Sequence, residues 1–166
     1  MTAQRRRSYE SGHRPKFLVV IDGTPESDRA VHFAARRAAR IGGSVVMLAV
    51  AEPPESFEWL GVGDAMREEA EEEAQALLET AAASARSVAG VDPEQIVRPG
   101  DRLLAIAGLI EEDEDIAFLV LAAGTAKEGP GPLVSGLAGK AASTFPIPIV
   151  IVPGSLTDEE IDALAG

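Results

Sequence analysis

The 166-residue sequence contains no cysteine. Disulfides, thiolate catalysis and cysteine-based zinc or iron–sulfur sites are therefore excluded. Only two histidines are present, which excludes a multi-histidine metal cage and disfavours acid/base chemistry by His. No structural metal is expected. Aromatic residues make up 4% of the chain, so the core has to be built from Ala, Val, Leu and Ile. No apolar run approaches the roughly 20 residues needed to cross a bilayer, and the N-terminus lacks the apolar core of a signal peptide. The expected compartment is the cytoplasm, with no membrane partner.

The composition is otherwise that of a globular domain, 46% hydrophobic and 25% charged, with a formal charge of −12. The charge is unevenly spread. Arg5, Arg6, Arg7, Arg14 and Lys16 outweigh Glu10 in the first sixteen residues, a net +4, which leaves −16 on the rest. A body this acidic repels phosphate backbones, so nucleic acid is not an expected partner. Residues 1–15 are expected to be a disordered basic tail.

Apolar runs and helical periodicities alternate along the chain. Phe17–Ile21 reads as a buried strand. Thr24 and Pro25 read as the N-cap and first turn of a helix with Ala30, Val31, Ala34, Ala38 and Ile41 inward, His32 on the polar face, and Gly42–Gly43 as its stop. Ser44–Ala51 is a second strand. The connection 52–63 holds Phe57, Trp59 and Leu60, an aromatic surface that either folds back or docks a partner. A long helix over 64–89 has an apolar stripe of Met66, Ala70, Ala74, Leu77, Ala81 and Ala85 and an acidic, solvated face.

Gln95–Arg98 is a short edge strand, and Asp101 caps a helix with Leu103, Ile106, Ala107 and Ile110 on one face. The acidic run Glu111–Asp115 opposes that helix's dipole and is expected only to solvate a loop. Ile116–Ala123 is the fourth strand, a helix follows over 135–144, and Ile147–Val152 is the fifth strand. Thr157 and Glu160 form a capping box for a small helix carrying Ile161 and Leu164. Continuous apolar strands joined by helices predict an α/β fold, a doubly wound five-stranded parallel sheet with helices on both faces.

In such a sheet ligands bind beyond the carboxyl ends of the strands at the switch in strand order, here between the first and fourth strands. The loops ending there are Asp22–Pro25 and Gly124–Pro132. A carboxylate opposite a Gly/Pro-rich loop that opens a helix suits an adenine nucleotide, with phosphates on the second loop and base or sugar near Asp22. The same residues read equally as a turn cap and loop-shaping glycines. The P-loop and dinucleotide spacings are absent: Pro130 stands where a P-loop needs lysine. No nucleophile motif occurs, so no enzymatic activity is expected.

Four segments in order resemble the universal stress protein family: Phe17–Ser27 its opening strand and D-G-S-x-x-S turn, Arg98–Asp101 its G-D segment, Asp115–Val120 its fourth-strand entry, and Ile147–Val152 its last strand, all on the βα frame. The resemblance spans residues 16–153, which leaves 154–166 as a helical tail. It implies an adenine nucleotide alpha hydrolase-like fold, a homodimer often formed through the last strand, and a non-catalytic regulatory role in stress response. It also implies a degenerate ATP site. The residues that match or stand in for the family's positions are Asp22, Gly23, Thr24, Val50, Gly124, Lys127, Gly129, Gly131, Ser135 and Gly136. Lys127 replaces the second glycine of G-x2-G-x9-G-[ST], Gly129 and Gly131 are out of spacing, and Ser135–Gly136 reverses the final pair. Lys127 either supplies charge to phosphates or is a surface lysine of a rebuilt loop. The alternative is a dimeric interaction module that takes a protein partner of unknown identity and no nucleotide.

Overall fold

The computed structural model describes residues 5–52 and 63–166. The elements run β1 (Lys16–Val20), α1 (Ser27–Ile41), β2 (Ser44–Ala51), α2 (Gly63–Ala89), β3 (Glu94–Pro99), α3 (Arg102–Glu112), β4 (Ile116–Ala123), α4 (Pro132–Ala138), a 3-10 turn (Lys140–Thr144), β5 (Ile149–Pro153) and α5 (Asp158–Ala165). All strand pairs are parallel, in the order β3-β2-β1-β4-β5. The order reverses between β1 and β4, where the sequence places the switch.

Strand alternation builds two cores. Phe17 and Val19 of β1 and Val45, Met47 and Ala49 of β2 face α1, α2 and α5. Leu18, Val20, Val46 and Leu48 point the other way, against Ile106, Leu109 and Ile110 of α3 and Val134 and Leu137 of α4. Two aromatics meet at the centre: Phe17 stacks on Phe118 with centroids 5.0 Å apart and rings 15° from parallel. Elsewhere small side chains suffice, as Ala30, Ala34, Ala35 and Ala38 let α1 lie close on the sheet.

Several local expectations need correction. Helix α1 starts at Ser27 and its N-cap is Glu26, with no side-chain cap bond. Thr24 instead donates from its N and Oγ1 to Asp22 Oδ1, at 3.1 and 2.7 Å, so the turn competes successfully for the expected cap. On α3, Asp101 does cap, accepting from Leu104 N at 3.0 Å. Leu103, however, is exposed and Leu109 takes the inward place. The stripe of α2 is broader than expected, with Leu78 and Ala82 also buried. The helix expected over 135–144 is split at Gly139, and Pro132 begins it earlier, at a first-turn position that needs no N–H. The 53–62 part of the connection with Phe57, Trp59 and Leu60 lies outside the described residues.

His32 is not a surface residue. It is buried on α1, and its Nε2 lies 2.6 Å from Asp162 Oδ1 of α5. The capping box of Thr157 and Glu160 is present. Ile161 and Ala165 are fully buried, and Ile161 belongs to the core that includes the inward face of α1. Arg29 bridges Asp28 and Asp158 at 2.6 and 2.7 Å, and its hydrogen bond holds the Asp158 carboxyl below the ordinary aspartate value.

The basic leader departs most from expectation. Arg7 N donates to Glu114 O at 2.9 Å, Arg6 Nη1 donates to the carbonyls of Asp113 and Ile116, and His13 Nδ1 lies 2.6 Å from Asp115 Oδ1. Ser8 is buried. The acidic run that seemed only to solvate a loop is the counter-surface for these cations, and carbonyls at the end of α3 accept from them. Residues 5–15 are thus a docked segment, not a disordered tail.

Lys16 donates to both Asp113 and Glu94 at 2.8 Å. Burial opposes its charge, but those two hydrogen bonds prevail and hold its pKa above 10.5. The contribution to stability is fully present below the unfolded lysine value and fades as pH rises through the higher folded value. Lys16→Met is expected to cost about 1–3 kcal/mol at pH 8. Denaturant titrations of both proteins, repeated above pH 10.5, should show the difference shrinking. A difference independent of pH would mean that packing of the lysine stem carries it.

Candidate functional site

At the carboxyl ends of β1, β2 and β4 two hollows share one wall. The wider, about 400 Å³, is lined by Ile21, Asp22 and Gly23 after β1, Ala49–Glu52 at the end of β2, Ala70, Glu73, Ala74 and Leu77 of α2, and Arg102. That volume is within the range of small-ligand sites. The narrower, about 40 Å³, runs between the β1 turn and the loop after β4. Its lining includes Asp22, Thr24, Glu26, Ser27 and Pro130–Val134. Asp22 borders both.

Asp22 is held by its own turn. Its Oδ1 accepts the two bonds from Thr24, and no further hydrogen bond occupies Oδ2 among the described residues. The carboxylate is thus oriented, with one acceptor oxygen left for a ligand. Val50 gives the wide hollow an apolar edge, and Arg102 sits opposite with its Nε 3.6 Å from Glu52 Oε1.

The loop after β4 is less open than a phosphate cradle needs. Gly124 N donates to Pro130 O at 3.0 Å and Gly129 N donates to Ala126 O at 3.1 Å, so both amides close the loop on itself. Pro130 and Pro132 have no N–H to offer. Gly131, at φ 109°, precedes α4 and lines the narrow cleft. Lys127, Ser135 and Gly136 are exposed and line neither hollow. The structure therefore brings Asp22, Gly23, Thr24 and Val50 together, sets Gly131 across the cleft, and leaves Gly124, Lys127, Gly129, Ser135 and Gly136 outside both linings.

Two residues that sequence reasoning passed over sit in the cleft. Glu26 extends between two glycines: a Cβ on Gly124 would lie 2.9 Å from its Oε1, and one on Gly154 3.1 Å from its Cβ. Ser27 Oγ is buried without a hydrogen-bond partner. The only sequence signal was Gly154 itself, a glycine directly after β5 where backbones approach: its N donates to Ala123 O at 2.8 Å.

One group with metal-binding atom types occurs among the described residues, His13, Glu114 and Asp115, whose ligand atoms lie within 4.8 Å of one another. The His13–Asp115 hydrogen bond and Arg7, 3.8 Å from Glu114, already engage it. No helix is long and apolar enough to cross a membrane among the described residues.

The family model described as "Universal stress protein family" matches residues 13–153. A search of curated proteins returns no match. Among solved structures, a universal stress protein from Archaeoglobus fulgidus is similar at 17% identity and a TM-score of 0.63, over 83% of this chain and 93% of that one. A universal stress protein in complex with cAMP aligns at 21% identity and 0.59, over 85% and 98%. The Archaeoglobus fulgidus protein in complex with dAMP aligns at 18% and 0.58, over 83% and 96%. At these identities the structures attest the fold.

Proposed function

Because this chain belongs to the universal stress protein family, we propose that it is a non-catalytic regulatory module that binds an adenine ligand at the β1/β4 switch, with the base in the wide hollow. The observation that carries this reading is the Asp22 carboxylate, fixed through Oδ1 by Thr24 and free at Oδ2 on the border of the hollow. That oxygen suits the exocyclic amine of adenine, a donor, and Val50 with the alanines of α2 offers the apolar surface a flat base needs. Relatives of the same fold solved with cAMP and dAMP support it.

No reaction is assigned to the site. His13 and His32 are engaged with Asp115 and Asp162 and line neither hollow. The reading includes a cytoplasmic homodimer across β5, which has a neighbour on one side only and carries Ile151 exposed at its outer edge.

Titration calorimetry with adenosine, AMP and ATP tests it. Saturable binding of at least one is expected, weakened about 10–100-fold by Asp22→Ala, the loss of a hydrogen bond to a charged acceptor. Flat titrations with all three up to millimolar concentration would remove the ligand, and leave a dimeric interaction module as the reading.

A further inference from the structure

From the placement of Glu26 we infer that the site selects an uncharged adenine nucleoside over its phosphorylated forms, and that Glu26 is the residue that sets this preference. The inference rests on the adenine reading above and specifies its ligand class.

With the base in the wide hollow, the group attached to it extends into the cleft on the other side of Asp22, and the one cation lining the wide hollow, Arg102, is already paired with Glu52 at 3.6 Å. A phosphate there would meet two carboxylates, Asp22 and Glu26, and the lining of the cleft contains no lysine or arginine. Among the described residues no hydrogen bond or ion pair neutralises the Glu26 carboxylate, so its charge faces the cleft uncompensated. Two of the loop amides are committed, Gly124 to Pro130 and Gly129 to Ala126, and Pro130 and Pro132 have none to offer. The one loop cation, Lys127, lies on the surface outside the cleft.

The placement of Glu26 is built into the chain. Its side chain lies close against two glycines: a Cβ on Gly124 would stand 2.9 Å from Oε1, and one on Gly154 would stand 3.1 Å from the Glu26 Cβ and 2.5 Å from Ala123 O. A carboxylate accepts hydrogen bonds and cannot donate them. The ligand group complementary to it is a donor, and a ribose diol supplies two. Ser27 Oγ, buried beside Glu26 without a partner, can both donate and accept and completes the match. The sugar hydroxyls thus satisfy groups that a phosphate would leave unpaired or repel.

The test is competitive calorimetry of the full chain with adenosine and with ATP, in EDTA and again with Mg²⁺, using the native protein and Glu26→Gln. Native protein is expected to bind adenosine at least about tenfold more tightly than ATP, equivalent to 1.4 kcal/mol. In Glu26→Gln, which keeps the shape and removes the charge, the ratio of the two constants should fall about tenfold. Should that variant fold poorly, the native ratio alone decides. ATP binding as tightly as adenosine to the native protein would overturn the inference. So would ATP tighter than adenosine only with Mg²⁺ and only with Glu26 intact, because the carboxylate would then recruit phosphate through the cation. Neither outcome resembles failure of the adenine reading, in which no ligand binds at all.

Discussion

Phe17→Ala is expected to lower folding stability by about 3–5 kcal/mol, the largest loss from any single side chain discussed above. Phe17 is 3% exposed and its ring lies flat on Phe118 of the partner strand. Deleting it removes both the transfer term and the stacking. The surroundings are poorly able to refill the space, because the same core draws on Ala34, Ala35 and Ala38 of α1, which have no side-chain length to give. Against a typical total of about 5–15 kcal/mol, such a loss leaves a marginal protein. Equilibrium urea unfolding measures it. A change under about 1 kcal/mol would mean that the β1–β4 junction collapses around the gap, and that the aromatic pair is not what fixes its spacing.

Ile161→Ala is expected to cost about 2–5 kcal/mol. Residue 161 lies beyond the family match, which ends at 153, and a peripheral tail helix would tolerate the change. Ile161 has no exposed surface, however, and belongs to the core beneath α1 and α2. Loss of this side chain would also loosen Asp162 from His32 and Arg36, to which it lies at 2.6 and 3.2 Å. The same urea titration, with hydrogen exchange on α1 amides, distinguishes two outcomes. A concerted loss of stability makes α5 part of the domain. Raised exchange confined to α5 would make it an independent attachment.

The doubly wound parallel sheet and the position of its switch were legible because parallel strands buried on both faces leave long apolar runs that few other arrangements explain. The capping box at Thr157 and the cap at Asp101 were legible because their chemistry is local, decided within three residues. What failed depends on partners far away in sequence. His32 looked polar-faced on its own helix and is buried because α5, some 130 residues on, supplies Asp162. The leader arginines looked free because their acceptors lie about one hundred residues later, in the acidic run after α3.

At the site, Asp22 was legible from its place after an apolar strand. Glu26 was not. Its meaning comes from Gly124 and Gly154, one on the loop after β4 and one after β5, and nothing in the local pattern of the β1 turn indicates them. The glycine spacing that departs from the family's pattern was visible, but the closure of the loop through Gly124 and Pro130 was not.

The pairing of β1 with β4 also governs when the site can exist. Lys16 aligns with Ile116 and Val19 with Val120, so this junction closes a loop of about one hundred residues, an entropic cost that the β1–β2 and β2–β3 pairings meet in far smaller instalments. A nascent chain synthesised only through Pro99 already holds Asp22 and Val50, yet has no opposite wall for the cleft. The cleft proposed above as the ligand site is therefore a late acquisition in assembly, and its formation reports on completion of the whole sheet. Refolding followed by ligand fluorescence should lag behind refolding followed by backbone circular dichroism, the interval being the time the central strand waits for its distant neighbour.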